Sequence, residues 1–392
     1  MRLAVVTSHP IQYYAPLFRE LARLLDLTVF YGYQPEPFDQ AKAGFGVGFE
    51  WDVDLHSGYR SRFLENRARY PRLDGFTGIS TPDIGERLRA GNFDAVLLIG
   101  WHKKFLLQTL VAAKRIGLPV LQRGDSHLQT QRSHLKTIAK EIVYPVFLRQ
   151  FDAALAVGEM NRKYWLHYRF PEDRIFASPH CIDTNWFASQ ATPGARMEQR
   201  RKLGIEAAVP VVLFAGKLVE FKQPMQLMEA AAQVHRRGIP AEMLIAGDGP
   251  LRQSVIDRAA SLGLRLHMLG FCNQSQMPAA YAAADVLALP SNGQETWGLV
   301  ANEALACGIP AIVSDSVGCA PDMARIFGDR VVFAFGRIDS MVDRLNIVLH
   351  SPPSTEEIAA ANRTFSLSAA AGGIVAAMSR LTGKVVDDND RG

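Results

Sequence analysis

The chain of 392 residues predicts an α/β protein built from two doubly wound parallel-sheet domains. Three observations lead there. Short apolar runs at 3–7, 95–99, 209–214, 243–246 and 285–290 have the length of buried parallel strands, and they alternate with stretches of helical composition. The length exceeds what one α/β domain usually needs, so two are expected. Several runs end in loops bearing Gly, His or Lys, and the carboxyl ends of parallel strands are where open sheets bind ligands.

Bulk properties narrow the function classes. With 48% hydrophobic and 21% charged residues the composition is that of an ordinary globular protein with a sizeable core. Cys181, Cys272, Cys307 and Cys319 are widely spaced and form no Cys-x-x-Cys, which argues against a zinc site and against a disulfide framework. They read as reduced packing residues of a cytoplasmic protein. The first strand is too short for a signal peptide, and no apolar run is expected to span a bilayer. Residues 1–190 hold 24 basic and 19 acidic residues, so the net charge of +4 arises in the first half. The densest run, Arg60, Arg62, Arg67, Arg69 and Arg72, reads as solvated surface, with an anionic membrane or a phosphorylated acceptor as alternative partners. The inner face of the membrane is the surface this half would meet. Nucleic acid is not an expected partner, because the run carries no interleaved aromatic platform.

The first domain is placed at 1–185. Residues 3–7 form a strand leading into Ser8-His9-Pro10, and the next helix presents Leu17, Leu21, Leu24 and Leu25 on one face. Strands follow at 27–31 and 49–55. The latter contains Asp52 and Asp54, two carboxylates able to clamp a divalent ion, but the alternation of Trp51, Val53 and Leu55 equally describes a half-exposed strand. No metal or other cofactor is expected. The strand at 95–99 delivers His102, and that at 120–122 delivers Asp125 and His127. His102 is a site candidate by its place at a strand end, and His9, Asp125 and His127 are candidates in the same way. For Asp125 and Ser126, a helix cap is the competing reading. Strands at 153–157 and 174–178 close the domain, and a polar linker is placed at about 183–208.

The second domain is placed at 186–365. Its first strand ends at Gly216-Lys217, with Lys222 five residues on: two ammonium groups able to neutralise a diphosphate. The next two strands end at Gly247 and at Gly270-Phe271. The short Gly-x-Gly at 247–249 lacks the third glycine of a dinucleotide fingerprint, so a nicotinamide enzyme is not expected. Residues 285–290 form a strand, 291–298 a turn-rich loop and 299–306 a helix. Glu295 then lies in the loop and Glu303 on the helix, and the amides of Gly298, Leu299 and Val300 would favour a phosphate over the helix start. An alanine-rich helix is expected within 366–383, with Gly372-Gly373 as its weak point. Residues 384–392 form a charged tail expected to be disordered.

The stretch from Pro290 to Gly318 resembles the Glu-x7-Glu signature of retaining family-4 glycosyltransferases with the GT-B fold, its ends falling on Glu295 and Glu303. The surrounding Pro290-Ser291 and Ala306-Cys307-Gly308-Ile309-Pro310 strengthen the match. The resemblance implies that Glu295 touches the donor sugar, Glu303 the ribose, Lys217 and Lys222 the diphosphate, and the loops at Gly247 and Phe271 the nucleotide. It also implies that the terminal helix crosses back to the first domain. It covers 209–320 closely and the first domain loosely. Departures are informative. Thr296 and Trp297 follow the first Glu where relatives have a small residue and Phe. Lys217 stands in place of Arg, His9-Pro10 in place of Gly-Gly, Asp125 in place of a functional His, and His180-Cys181 in place of an Asn-Gly turn.

The implied activity is a metal-independent, retaining sugar transfer from a nucleoside-diphosphate donor to a saccharide or lipid-linked acceptor, as in cell-surface polysaccharide or glycolipid synthesis. A nucleotide-sugar-binding module with little transferase activity is the alternative, since the departures cluster on the acceptor side.

Overall fold

The computed structural model describes residues 1–36, 48–130 and 133–385. Within them are two wholly parallel sheets. The first runs β1 (Arg2–Thr7), β2 (Asp26–Tyr31), β3 (Arg60–Phe63), β4 (Ala95–Ile99), β5 (Val120–Gly124), β6 (Ala153–Ala156) and β7 (Ile175–Ala177). Its spatial order is β3-β2-β1-β4-β5-β6-β7. The second contains β8 (Val211–Ala215), β9 (Glu242–Ala246), β10 (Leu266–Gly270), β11 (Val286–Leu289), β12 (Ala311–Ser314) and β13 (Val332–Phe333), ordered β10-β9-β8-β11-β12-β13.

Central strands such as Leu3–Val6, Val96–Leu97 and Val211–Leu213 have essentially no solvent exposure. Helices cover both faces, which is why the strands read as unbroken apolar runs rather than alternating ones. In each sheet the winding reverses beside the first strand, between β1 and β4 and between β8 and β11. Such a switch point splays adjacent loops apart and opens a crevice at the carboxyl ends. The loops after β1, β4 and β5 thus form one lip, and those after β8, β9 and β11 the other.

Two sequence expectations fail. Residues 49–55 form no strand. Asp52 instead accepts hydrogen bonds from the amide and hydroxyl of Ser275 in the second domain, while Asp54 accepts from the amides of His56 and Ser57 at 2.9 and 3.1 Å. The edge of the first sheet is taken by β3, which lies within the arginine run. The two carboxylates therefore bind protein donors rather than converging on a shared point, and none of the described residues form a His, Cys, Asp and Glu cluster able to hold a metal.

The supposed linker at 183–208 is largely helical, as Thr184–Gln190 and Pro193–Leu203. Its polarity has a packing explanation: Arg196 and Arg200 both reach the Asp285 carboxylate at 2.7 Å, and Arg200 also caps the Ala283 carbonyl at 2.9 Å. These charges pin the helix onto the foot of β11 instead of facing water.

The last helix, Leu367–Thr382, packs on the first sheet through Ala370, Ala371, Ile374, Ala377 and Met378. Gly373 permits this. A Cβ there would stand 1.7 Å from the Ala177 carbonyl oxygen of β7. The glycine that weakens the helix in isolation thus allows close approach to the sheet. By length and composition alone, Thr355–Thr382 is apolar enough to cross a membrane. It is, however, two helices, Thr355–Thr364 and Leu367–Thr382, interrupted at Phe365-Ser366, and the second is packed into the first domain. Of the expected disordered tail, residues 386–392 lie outside the described residues.

Candidate functional site

A cavity of about 400 Å³ occupies the crevice between the two lips. The second domain supplies one wall through Gly216, Lys217, Lys222, Gly247, Phe271 and Glu295, with Gly298, Leu299, Val300 and Glu303 along the helix start. The first domain supplies Asp125. These residues, separated by up to 178 positions in the chain, converge because each lies in a loop or helix that follows the carboxyl end of a parallel strand, the side on which the two crevices open.

Local sequence explains the wall. Gly247 has φ +158°, and a Cβ on it would meet the Gly216 carbonyl oxygen at 1.8 Å, so β8 and β9 can end this close together only without side chains. Gly298 stands at φ +97° as the residue preceding helix Leu299–Ala306, and no side chain caps that helix. The first-turn amides therefore open onto the cavity with the positive end of the helix dipole behind them. Lys222 makes an ion pair with Glu295, and Ser291 Oγ donates to the same carboxylate at 3.2 Å. Lys217 lies alongside; burial, then the neighbouring Lys222, lowers its pKa, while Glu295 acts the other way.

Glu303, on the helix, also lines the cavity. Tyr281 donates to its Oε2 at 2.6 Å, and burial pushes its pKa up to about 7, against the hydrogen bond from Tyr281 and the charge of Lys222. Near neutral pH it is thus divided between two protonation states. Tyr13 faces the same cavity from the first domain, and burial, reinforced by Tyr14, Asp125, Glu295 and Glu303, raises its pKa so that the phenol stays protonated as a donor.

Asp125 joins the domains. The Thr296 hydroxyl donates to its Oδ2 at 2.6 Å, and His180 Nε2 stands 3.8 Å away, a neighbour rather than a hydrogen-bond partner. Burial alone would raise the Asp125 pKa, but the imidazole and the hydroxyl together hold it below the ordinary carboxylate value. Burial lowers the His180 pKa, against the pull of Asp125. No helix begins at Asp125 or Ser126, which removes the cap reading.

Other expectations are placed elsewhere. His102 and His9 line a second cavity of about 450 Å³ in the first domain, which shares Asp125 with the main one. His127 lines neither; it is buried, and its Nδ1 accepts from the Gln129 amide at 3.2 Å. Trp297 forms part of the wall, but its indole is only 3% exposed, donates to Asn302 Oδ1 at 3.0 Å and packs against His180 and Phe365. Asn302 in turn donates to the His180 carbonyl at 3.0 Å, so the Trp at this departure from the family pattern stitches the domain junction.

Sequence reasoning missed Tyr13, Gln12, Trp51, Phe221 and His180 as cavity residues. For His180 there was a signal, since it replaces the turn that the resemblance expects. Trp51 had none, because its segment was read as a strand.

Comparisons with known proteins agree with this geometry. Residues 195–365 match the family model described as "Glycosyl transferases group 1". The chain is 33% identical over 178 residues to a D-inositol 3-phosphate glycosyltransferase of Rhodococcus erythropolis, covering 43% of this chain and 40% of that one. It is 29% identical over 252 residues to a GDP-mannose-dependent alpha-(1-6)-phosphatidylinositol monomannoside mannosyltransferase of Mycolicibacterium smegmatis, covering 62% and 63%. The matches thus span less than two thirds of these relatives' own length. Among solved structures, Anabaena HepE in complex with UDP superposes with a TM-score of 0.72 at 16% identity, over 97% of this chain and 100% of that one. The fold is GT-B, and the match to the group 1 family model lies within the second domain.

Proposed function

We propose that the protein is a retaining, metal-independent glycosyltransferase, with the nucleoside-diphosphate sugar on the second domain and the acceptor hydroxyl on the first. The observation that carries this is the juxtaposition of Lys217, Lys222 and the uncapped start of helix Leu299–Ala306 around one cavity that also holds Glu295 and Glu303. The HepE structure holds UDP, and the mannosyltransferase relative is named for a phosphatidylinositol monomannoside; both favour a nucleotide donor and a saccharide or lipid-linked acceptor, as in polysaccharide or glycolipid synthesis.

In this reading the bond between the anomeric carbon and the β-phosphate oxygen breaks while a bond to the acceptor oxygen forms on the same face. Negative charge builds on the departing diphosphate, where the two ammonium groups and the first-turn amides stabilise it. The hydroxyl proton passes to a departing phosphate oxygen, so no separate base is needed. Glu295, released from Lys222 as the diphosphate arrives, orients the sugar hydroxyls. Asp125, kept ionised, orients the acceptor side. Glu303 accepts from the ribose.

Replacing Glu303 with Ala is expected to weaken UDP or GDP binding about tenfold, the worth of a charge-assisted hydrogen bond pair in a buried site. Calorimetric titration of the full chain reads this, and unchanged nucleotide affinity would remove the ribose role. A thermal-shift panel of UDP, GDP and ADP sugars identifies the donor by mass action. Donor binding with no hydrolysis and no transfer would favour the binding-module alternative. Activity retained in excess chelator would support metal independence.

We also propose peripheral contact with an anionic membrane from the cytoplasmic side. The surface that supports this is helix His134–Phe147, none of whose residues is buried. The arginine run of 60–72 is less suited, since Arg60, Arg67 and Arg72 already face Asp26, Glu65 and Asp74.

A further inference from the structure

The second cavity, on the first domain, has a charge pattern that the proposed transfer does not by itself require. Its walls include Lys103, Lys140 and Arg123 along with His9 and His102, against a single carboxylate, Asp125, in the lining. That carboxylate is already engaged by the Thr296 hydroxyl on the side of the main cleft. The imbalance is regional as well: residues 101–150 contain nine Lys and Arg but two Asp and Glu.

Arg123 is the most telling of the three cations. It is 1% exposed, and its hydrogen bonds go to the Ser178 hydroxyl at 3.2 Å and to the Ser178 and Pro179 carbonyls at 3.2 and 2.8 Å, with the Tyr14 ring 5.6 Å away. All of these are neutral groups. Its Nη1 is buried with no hydrogen-bond partner among the described residues. A buried guanidinium paired only with dipoles is costly, and the cost is offset when an anion settles nearby.

Neither lysine has a carboxylate among its hydrogen-bond partners, although Asp74 lies near enough to act on the charge of Lys103. Lys103 donates to the carbonyls of Leu73 and Gly75, and burial lowers its pKa. Lys140 donates to the Tyr164 hydroxyl at 3.2 Å and lies 4.5 Å from the Tyr144 ring centre. Both ammonium groups are therefore positioned by neutral partners at the cavity rather than tethered to a surface acid. Lys103 also immediately precedes helix Lys104–Arg115, whose first turn holds no acidic residue, so the helix dipole adds to the same positive field.

We infer that this cavity is an anion subsite for the acceptor, and that the acceptor carries a phosphate ester or another anionic group close to the hydroxyl that is glycosylated. The inference rests on the transferase reading for the word acceptor, while the anion preference is a property of the cavity alone. Asp125 lines both cavities, so a molecule anchored through its anion among Lys103, Lys140 and Arg123 lies beside the residue that borders the donor cleft.

The test uses the full chain and calorimetric titration with glucose 6-phosphate, glucuronate and glucose, alongside flotation on phosphatidylcholine vesicles with and without phosphatidic acid. Glucose 6-phosphate is expected to bind at least about tenfold tighter than glucose, and the double variant Lys103→Gln, Lys140→Gln to lose that margin. Lys202→Gln, a surface change in the second domain, should keep it. If the soluble ester fails to bind but the double variant abolishes the phosphatidic acid dependence of flotation, the anion is a lipid headgroup, and the inference stands with that source. Equal affinity for glucose and glucose 6-phosphate, together with flotation indifferent to the double variant, overturns it. The nucleotide panel judges the transferase reading separately: nucleotide binding without phosphate preference sinks only the subsite, and phosphate preference without nucleotide binding sinks only the transferase.

Discussion

Glu303 is placed where function and stability oppose each other. Its carboxyl lies beneath the helix start with one phenolic donor, and burial raises its pKa from 4.5 to about 7. A raised carboxyl pKa means that the unfolded chain releases the proton at a lower pH than the folded one does. The protonated form is thus fully compatible with folding below about pH 4.5, and the group destabilises the fold progressively as pH rises from there through about 7. At about 1.4 kcal/mol per pKa unit the penalty reaches at most about 3 kcal/mol, reduced by the cleft water that still reaches the side chain. Glu303→Gln keeps an oxygen to accept from Tyr281 and cannot ionise. It is expected to melt a few degrees above the parent at pH 8, with the gain shrinking toward zero near pH 4.5. A pH series of thermal melts checks this, and a gain independent of pH would show that the carboxylate is not strained by its site. On the proposed reading the same substitution also weakens nucleotide binding.

Helix Leu299–Ala306 and the loop before it show how an element creates a site. The helix owes its bare amino end to Gly298, whose φ of +97° an L side chain adopts only with strain. A Cβ there would also stand 2.5 Å from Leu289 Cδ2 and 3.1 Å from Val317 Cγ1. Gly298→Ala is therefore expected to cost about 2–4 kcal/mol, adding backbone strain to overpacking, and to weaken diphosphate binding by tilting the first turn. Urea midpoints and nucleotide titrations measure the two effects; an unchanged midpoint would contradict the strained geometry. This element was legible in the sequence because everything that defines it is local: an apolar strand, a turn-rich loop, a helix bounded by Gly308 and Pro310. The lysines at 217 and 222 were legible for the same reason. Residues whose role depends on the other domain were not. Asp52 and Trp51 gave an alternating pattern that matches a strand, yet Asp52 binds Ser275 across the cleft. Arg196 and Arg200 looked like a solvated linker because nothing in their own segment announces Asp285, which lies more than 80 residues later.

At the scale of the whole molecule, helix His134–Phe147 links the second cavity to the outer surface. Its one face turns inward, with Lys140 and Tyr144 in the wall of the anion-favouring cavity. Its other face carries Leu135, Ile138, Ile142 and Val146, spaced by three and four residues and 81%, 58%, 71% and 68% exposed. An aliphatic stripe this bare has no intramolecular partner among the described residues, and an exposed contiguous patch of this kind is a common mark of a docking surface. A bilayer interface is a fitting partner, because the helix would lie flat with the stripe among acyl chains while Lys136 and Arg149 stay at headgroup level. Burying Ile138 and Ile142 would contribute about 1.5–3 kcal/mol each, and each nearby cation about 1 kcal/mol against an anionic surface. Ile138→Ser with Ile142→Ser should leave the melting temperature nearly unchanged, since neither side chain is buried, yet lower the fraction that floats with anionic vesicles at least tenfold. Raising salt should weaken parent flotation further, because screening acts on the lysine and arginine contributions at distances of about 10 Å in 0.1 M salt. Flotation that ignores both the double variant and the anionic lipid content would separate the helix from the membrane altogether. A positive result would do more than locate the protein: with its outer face in the interface, the same helix would hold the acceptor cavity at the depth of lipid headgroups, so that a lipid-linked acceptor need not leave the bilayer to reach the donor sugar.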